Sequence, residues 1–152
     1  MNETSWSDRD RPMHVLVVDD DADMLALLKA NIQVQFGDQA SVDSVLDPQT
    51  ASDRLETGLV DVLVTDLEMP GINGLQLLRH AKRRNAWTQV IVVTGHSATA
   101  ALTEAMDFGA SDYLVKPVEL AELEQVLAEA AGRLNRWRQS LARTFVSTDT
   151  RR

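Results

Sequence analysis

The sequence contains no cysteine in its 152 residues. That excludes a disulfide framework and any thiolate metal site. It also lacks an apolar run long enough to cross a membrane, for which about 20 residues are needed. Met1 to Arg11 is polar and mixed in charge, without the apolar stretch of a secretory signal. A cytoplasmic protein is the expectation. Positive charge is short as well: 15 Lys and Arg face 23 Asp and Glu, a net charge of −8. After Ala131 the balance reverses to +5 (Arg133, Arg136, Arg138, Arg143, Arg151 and Arg152 against Asp149), which leaves −13 on the part before it. An acidic body argues against direct nucleic-acid binding. The basic end either solvates a helix face or touches an acidic partner.

What is present is a hydrophobic content of 44% and a charged content of 25%, enough for one domain with a proper core. Residues 1–12 read as a disordered leader in which Trp6 is isolated. Met13 to Val18 is a short apolar, β-branched run and reads as a buried strand. Asp21 can cap a helix that carries Leu25, Leu28 and Ile32 on one face and ends near Phe36. Ala40 to Val45 alternates weakly, as a short edge strand does. Asp47 and Pro48 open a helix that Gly58 closes. Val60 to Asp66 is a strand, followed by a Pro70–Gly74 loop and a helix capped by Asn73 with Leu75, Leu78 and Ala81. Val90 to Thr94 is a further strand. Ser97 to Phe108 is an alanine-rich helix with Gly109 as its C-terminal cap. Tyr113 to Lys116 is the last strand, ending before Pro117. Five strands alternating with helices predict an α/β fold, a parallel sheet covered on both faces.

Four strands end in Asp19-Asp20, Asp66, Thr94 and Lys116, all on the C-terminal edge of the predicted sheet, where such sheets bind ligands. Clustered carboxylates suit a hard cation, Mg²⁺ before Zn²⁺. Asp66 is then both ligand and nucleophile, able to attack phosphorus and form an aspartyl phosphate. Lys116 can pair with one phosphoryl oxygen and Thr94 can hydrogen-bond another. No base is required, because a carboxylate is ionised near neutral pH. The acids are expected to titrate as a coupled set, with at least one pKa raised when the cation is absent.

Taken together, Val17-Val18-Asp19-Asp20, Asp66-Leu67-Glu68-Met69-Pro70-Gly71, Thr94-Gly95 and Tyr113-Leu114-Val115-Lys116-Pro117 resemble the receiver domain of two-component response regulators. The resemblance covers roughly Met13 to Ala131 and is closest to the chemotaxis-type receiver. It implies that Asp66 accepts a phosphoryl group from a sensor histidine kinase or phosphotransfer protein. It implies Mg²⁺ on Asp20, Asp66 and the backbone carbonyl of Glu68, with Asp19 acting through water. It implies a doubly wound, flavodoxin-like sheet of order 2-1-3-4-5, for which receivers are themselves an example, and a cis Lys116–Pro117 bond. Thr94 and Tyr113 are then the switch, changing the surface of the last two helix–strand units. Glu68 and His96 flank the site at positions that tune phosphoryl lifetime. His14 and His80 suggest structural roles.

The last helix outlasts such a domain. Leu120, Leu123, Leu127, Ala130, Leu134, Trp137 and Leu141 recur at spacings of 3 and 4, a heptad seam. Beyond Ala131 a lone domain is expected to have no core left for Leu134, Trp137 and Leu141. The expectation is therefore a receiver at 13–131 and a helical extension with a frayed tail at 132–152, forming a homodimer seam through those three residues. A helix folded back on its own domain is the alternative. No foldable output domain is expected between Thr144 and Arg152, so either the receiver works alone or the chain is a fragment of a longer regulator.

Three readings stay open: a phosphorylation-activated regulatory switch that is not an enzyme in its own right, an aspartyl-phosphate phosphatase, and a degenerate receiver acting as a dimerisation scaffold. A phosphatase of the haloacid dehalogenase type needs a second acid two residues after its nucleophile, which Glu68 supplies, but no cap insertion is present. A scaffold has no use for Lys116 and Asp20 together.

Overall fold

Residues rich in Val, Leu and Ile alternate along each strand between two faces, and both faces are covered. The computed structural model describes residues 11–95 and 99–149. The leader before Arg11 and the proposed tuning residue His96 lie outside the described residues. In chain order the elements are β1 (Met13–Val18), α1 (Ala22–Phe36), a 3₁₀ turn (Gly37–Gln39), β2 (Ala40–Val45), α2 (Pro48–Thr57), β3 (Val62–Asp66), α3 (Gly74–Arg84), β4 (Gln89–Thr94), α4 (Thr99–Asp107), β5 (Asp112–Val115) and α5 (Leu120–Asp149). The strands form one parallel sheet of order β2-β1-β3-β4-β5, as the resemblance implies. The Lys116–Pro117 bond is cis.

The period-2 alternation of a strand divides the core in two. Val15, Val17, Val62, Val64, Ile91 and Val93 point to the face covered by α1 and α5. Leu16, Val18, Leu63, Val90 and Val92 point to the other, under α2, α3 and α4. The helices start where their caps dictate. Asp21 accepts from the backbone N–H groups of Asp23 and Met24, Asp47 from those of Gln49 and Thr50, and Asn73 forms a capping box with Gln76. Leu77 joins Leu78 and Ala81 on the buried face of α3, whereas Leu75 is half-buried. In α4, Ala105 is buried while Met106 is 43% exposed, in keeping with its small apolar content.

Strand β5 lies one residue earlier than expected, at Asp112–Val115. Lys116 still pairs with β4, its N–H donating to the Thr94 carbonyl at 2.8 Å, so its side chain is set by the sheet.

The C-terminal helix corrects the sequence reading. Leu134 is 5% exposed and belongs to the same core as Leu123, Leu127 and Ala130. Trp137 stacks edge to face on Trp87, with ring centroids 5.1 Å apart. Arg133 donates from Nε to Gln89 at 2.7 Å, and Arg138 to Asp61 at 3.0 Å. Leu141 is half-buried. The premise of the dimer seam therefore fails: the domain does have a surface for Leu134, Trp137 and Leu141, at the N-terminal edge of its own sheet. The core continues past the expected boundary at Ala131. Among the described residues, no helix is long and apolar enough to cross a membrane.

Candidate functional site

Parallel strands place their C-terminal ends side by side, and three of the four polar ends converge closely. Asp19 follows β1, Asp66 ends β3, Thr94 ends β4 and Lys116 follows β5. Asp19 and Asp66 are 1% and 5% exposed, although Asp20 beside them is open to solvent. The three carboxylates present oxygens within 4.8 Å of one another.

Local backbone fixes these side chains. Asp19 Oδ1 accepts from the N–H of Asp21 at 2.9 Å, so the turn that starts α1 also holds the first acid. Asp66 Oδ1 accepts from the N–H of Glu68 at 3.0 Å. The loop after β3 folds back so closely that a Cβ on Gly74 would lie 2.2 Å from the Asp66 carbonyl oxygen. Only glycine fits there, which makes the start of α3 part of the site's support.

Lys116 Nζ donates to Asp66 Oδ2 at 2.9 Å and forms an ion pair with Asp19 Oδ2 at 3.2 Å. Apart from that ion pair, Asp19 Oδ2 is buried without a hydrogen-bond partner. Burial raises the Asp19 pKa above its ordinary value, and the Asp66 charge adds to this against the opposing Asp21 N–H and Lys116. Burial alone would lower the Lys116 pKa. The hydrogen bond to Asp66 and the charges of Asp19 and Asp66 outweigh it and hold the ammonium above its ordinary value. Among the described residues, three carboxylates against one ammonium leave two surplus negative charges, and every available donor is oxygen. That set fits a hard divalent cation such as Mg²⁺.

Thr94 is 2% exposed, and its hydroxyl donates to the Gly95 carbonyl at 3.2 Å rather than to a carboxylate. Tyr113 is 44% exposed, with its ring outside the core. Glu68 is exposed beside the cluster. His14 gives its backbone N–H to Asp61, and His80 bridges Ser52 and Glu56 between α2 and α3. The His80 ring is accounted for by these contacts.

Sequence reasoning missed Asp61. It lies 5% exposed at the opposite edge of the sheet and accepts two hydrogen bonds from Arg11 (2.7 and 2.9 Å), one from the His14 N–H and one from Arg138. The signal was present: one charged residue inside the apolar run Val60–Val64 demands partners. Those partners come from both ends of the chain, so local reading could not supply them.

A family model described as the response regulator receiver domain matches residues 15–128. The chain is 37% identical over 138 residues to the transcriptional regulatory protein FixJ of Azorhizobium caulinodans, covering 89% of this chain and 62% of the relative. It is 36% identical over 111 residues to TcrA of Mycobacterium tuberculosis, covering 73% of this chain and 43% of that protein. It thus spans about half the length of these curated relatives. Among solved structures, a response regulator receiver domain protein from Clostridium thermocellum superposes with a TM-score of 0.71 at 29% identity, covering 80% of this chain and 95% of that one. The receiver domain of AraT from Geobacillus stearothermophilus gives 0.72 at 29%, covering 82% and 96%.

Proposed function

Because the chain belongs to the response regulator receiver family, we propose that it is a phosphorylation-activated regulatory switch and that Asp66 is its acceptor. The observation that carries the proposal is the contact of Lys116 with both buried carboxylates, at 2.9 and 3.2 Å. The donor is the phosphohistidine of a sensor kinase or phosphotransfer protein. A carboxylate oxygen of Asp66 attacks phosphorus; the new O–P bond forms as the P–N bond breaks, and the electron pair returns to the imidazole nitrogen. Lys116 is already placed to pair with a phosphoryl oxygen once Asp66 is esterified. Thr94 turns its hydroxyl from the Gly95 carbonyl to a second oxygen. Tyr113 moves into the space Thr94 leaves, and the α4–β5–α5 surface changes with it.

Asp19, Asp20 and Asp66, with the Glu68 carbonyl, would hold Mg²⁺. When bound, Mg²⁺ neutralises charge on the transferred group. Glu68 and His96 are proposed to set the lifetime of the phosphoryl group. A receiver at 13–131 with a helical extension remains the proposed organisation, amended by the docking of Leu134 and Trp137 on the domain. Self-association through that seam would first require their release.

The test is intact mass after incubation with acetyl phosphate, with and without Mg²⁺, beside Asp66→Asn. A stoichiometric phosphoryl adduct that requires Mg²⁺ and is absent from the variant supports the switch. Rapid Mg²⁺-dependent loss of acetyl phosphate without an adduct favours the phosphatase reading instead. An inert site that binds no Mg²⁺ leaves the scaffold.

A further inference from the structure

At the pole of the sheet opposite Asp66, the extension of α5 and the turn between α3 and β4 line an open cleft of about 400 Å³, within the range of small-molecule sites (~300–1,000 Å³). Trp87 and Trp137 form one wall, inclined at 63° to each other, and Leu141 adds aliphatic surface. Trp87 remains 38% exposed beside this space. The charge of the lining is one-sided. Among the described lining residues, three guanidinium groups accompany a single carboxylate, Asp61. Asp61 is held by Arg11 and Arg138, and those three groups together keep one net positive charge. Arg84 stands at the same cleft, one guanidinium nitrogen donating to the Glu56 backbone carbonyl at 3.0 Å while its Nε lies 3.8 Å from the exposed Glu56 carboxylate, a long and weak ion pair.

We propose that this cleft is a binding site for a small planar aromatic carboxylate, with the aromatic body against Trp87 and Trp137 and the carboxylate on Arg84 and Arg138. Both halves of the ligand are called for. Indole faces favour a flat apolar partner, and guanidinium groups favour a carboxylate in fork geometry. A bound molecule would tie the extension of α5 to the α3–β4 turn. The site is thus a second input to the same helix whose far end packs near the Lys116 strand end. It does not depend on phosphoryl chemistry at Asp66, and its failure would leave that reading untouched.

The probe is 1-naphthoate, titrated into the full chain and followed by heteronuclear NMR, with neutral 1-naphthamide as the control. Saturable shifts centred on the Trp87 and Trp137 indole N–H groups are expected, with a Kd of about 1 mM or tighter. The amide should bind about tenfold more weakly, and Arg84→Gln should weaken naphthoate by a similar factor. Arg84 is a surface residue, so that variant is expected to fold. Absence of saturation by about 10 mM overturns the proposal, as does equal affinity for acid and amide. Shifts centred elsewhere overturn it as well.

Discussion

Lys116 spans two strands' worth of charge: its ammonium lies 2.9 Å from Asp66 Oδ2 and 3.2 Å from Asp19 Oδ2. This one cation both organises the carboxylates and opposes a second cation among them. Lys116→Gln should therefore have two effects of opposite sign. Mg²⁺ binding should tighten by about tenfold, because a like charge has been removed. Phosphoryl transfer from acetyl phosphate should slow by about tenfold or more, because the pairing that stabilises the transferred group has gone. Calorimetric Mg²⁺ titration and time-resolved intact mass separate the two. Loss of both together would mean that the variant had simply disordered the site.

Gly74 packs against the backbone of Asp66 from behind. A methyl group there would lie 2.2 Å from the Asp66 carbonyl oxygen and 2.8 Å from the Leu67 Cα, both backbone atoms that cannot swing aside. Gly74→Ala should cost about 1–3 kcal/mol of stability, read by urea unfolding. It should also lower the rate of phosphorylation in the fraction that remains folded, since Asp66 must shift. Gly132→Ala is the control: nothing lies within 4 Å of its Cβ position, and it should be neutral or stabilising.

The convergence of Asp19, Asp20, Asp66 and Lys116 was legible because it follows from topology. Once Met13–Val18, Val62–Asp66 and Gln89–Thr94 are parallel strands, their polar ends must meet on one edge. Asp21, Asp47 and Asn73 also declared their helix starts through short-range bonds that a sequence contains in full. The opposite pole was not legible. Asp61 joins Arg11 to Arg138, and Trp87 meets Trp137, across separations no local pattern records. The seam of α5 was legible as apolar, but not the surface of its own domain on which Leu134 and Trp137 lie. A spacing of 3 and 4 says which face of a helix is buried, and the same face fits a sheet edge or another helix equally well.

The Asp61 clasp makes a pH prediction. Burial would raise the Asp61 pKa, but the hydrogen bonds from Arg11 and the His14 N–H, with the charges of Arg11 and Arg138, outweigh it and hold the pKa below its ordinary value of 3.8. A carboxyl with a depressed folded-state pKa contributes stability that is complete above the unfolded value and lost as pH falls through the folded one. Asp61→Asn should cost about 3 kcal/mol near neutral pH, because two partly buried guanidinium groups lose their partner. The gap between variant and native chain should narrow as the pH falls below the ordinary carboxyl value of 3.8. Urea unfolding at several pH values measures it; a gap independent of pH would mean that Asp61 acts through packing alone.

Leu134 decides which surface the C-terminal helix serves. If it belongs to the domain's own core, where it is 5% exposed, Leu134→Ala opens a void beside Leu127 and Ala130 and should cost about 2–5 kcal/mol. That loss should appear in dilute protein and should not depend on concentration. A seam shared between two copies predicts the reverse: a smaller molar mass for the variant and a stability that falls on dilution. Light scattering and unfolding at two concentrations distinguish them. Trp137→Leu extends the test, because it removes the edge-to-face contact with Trp87. The expected loss there is about 0.5–1.5 kcal/mol beyond the area uncovered, together with faster amide exchange in α5 beyond Leu134, where the helix depends on that contact and on the Arg138–Asp61 pair.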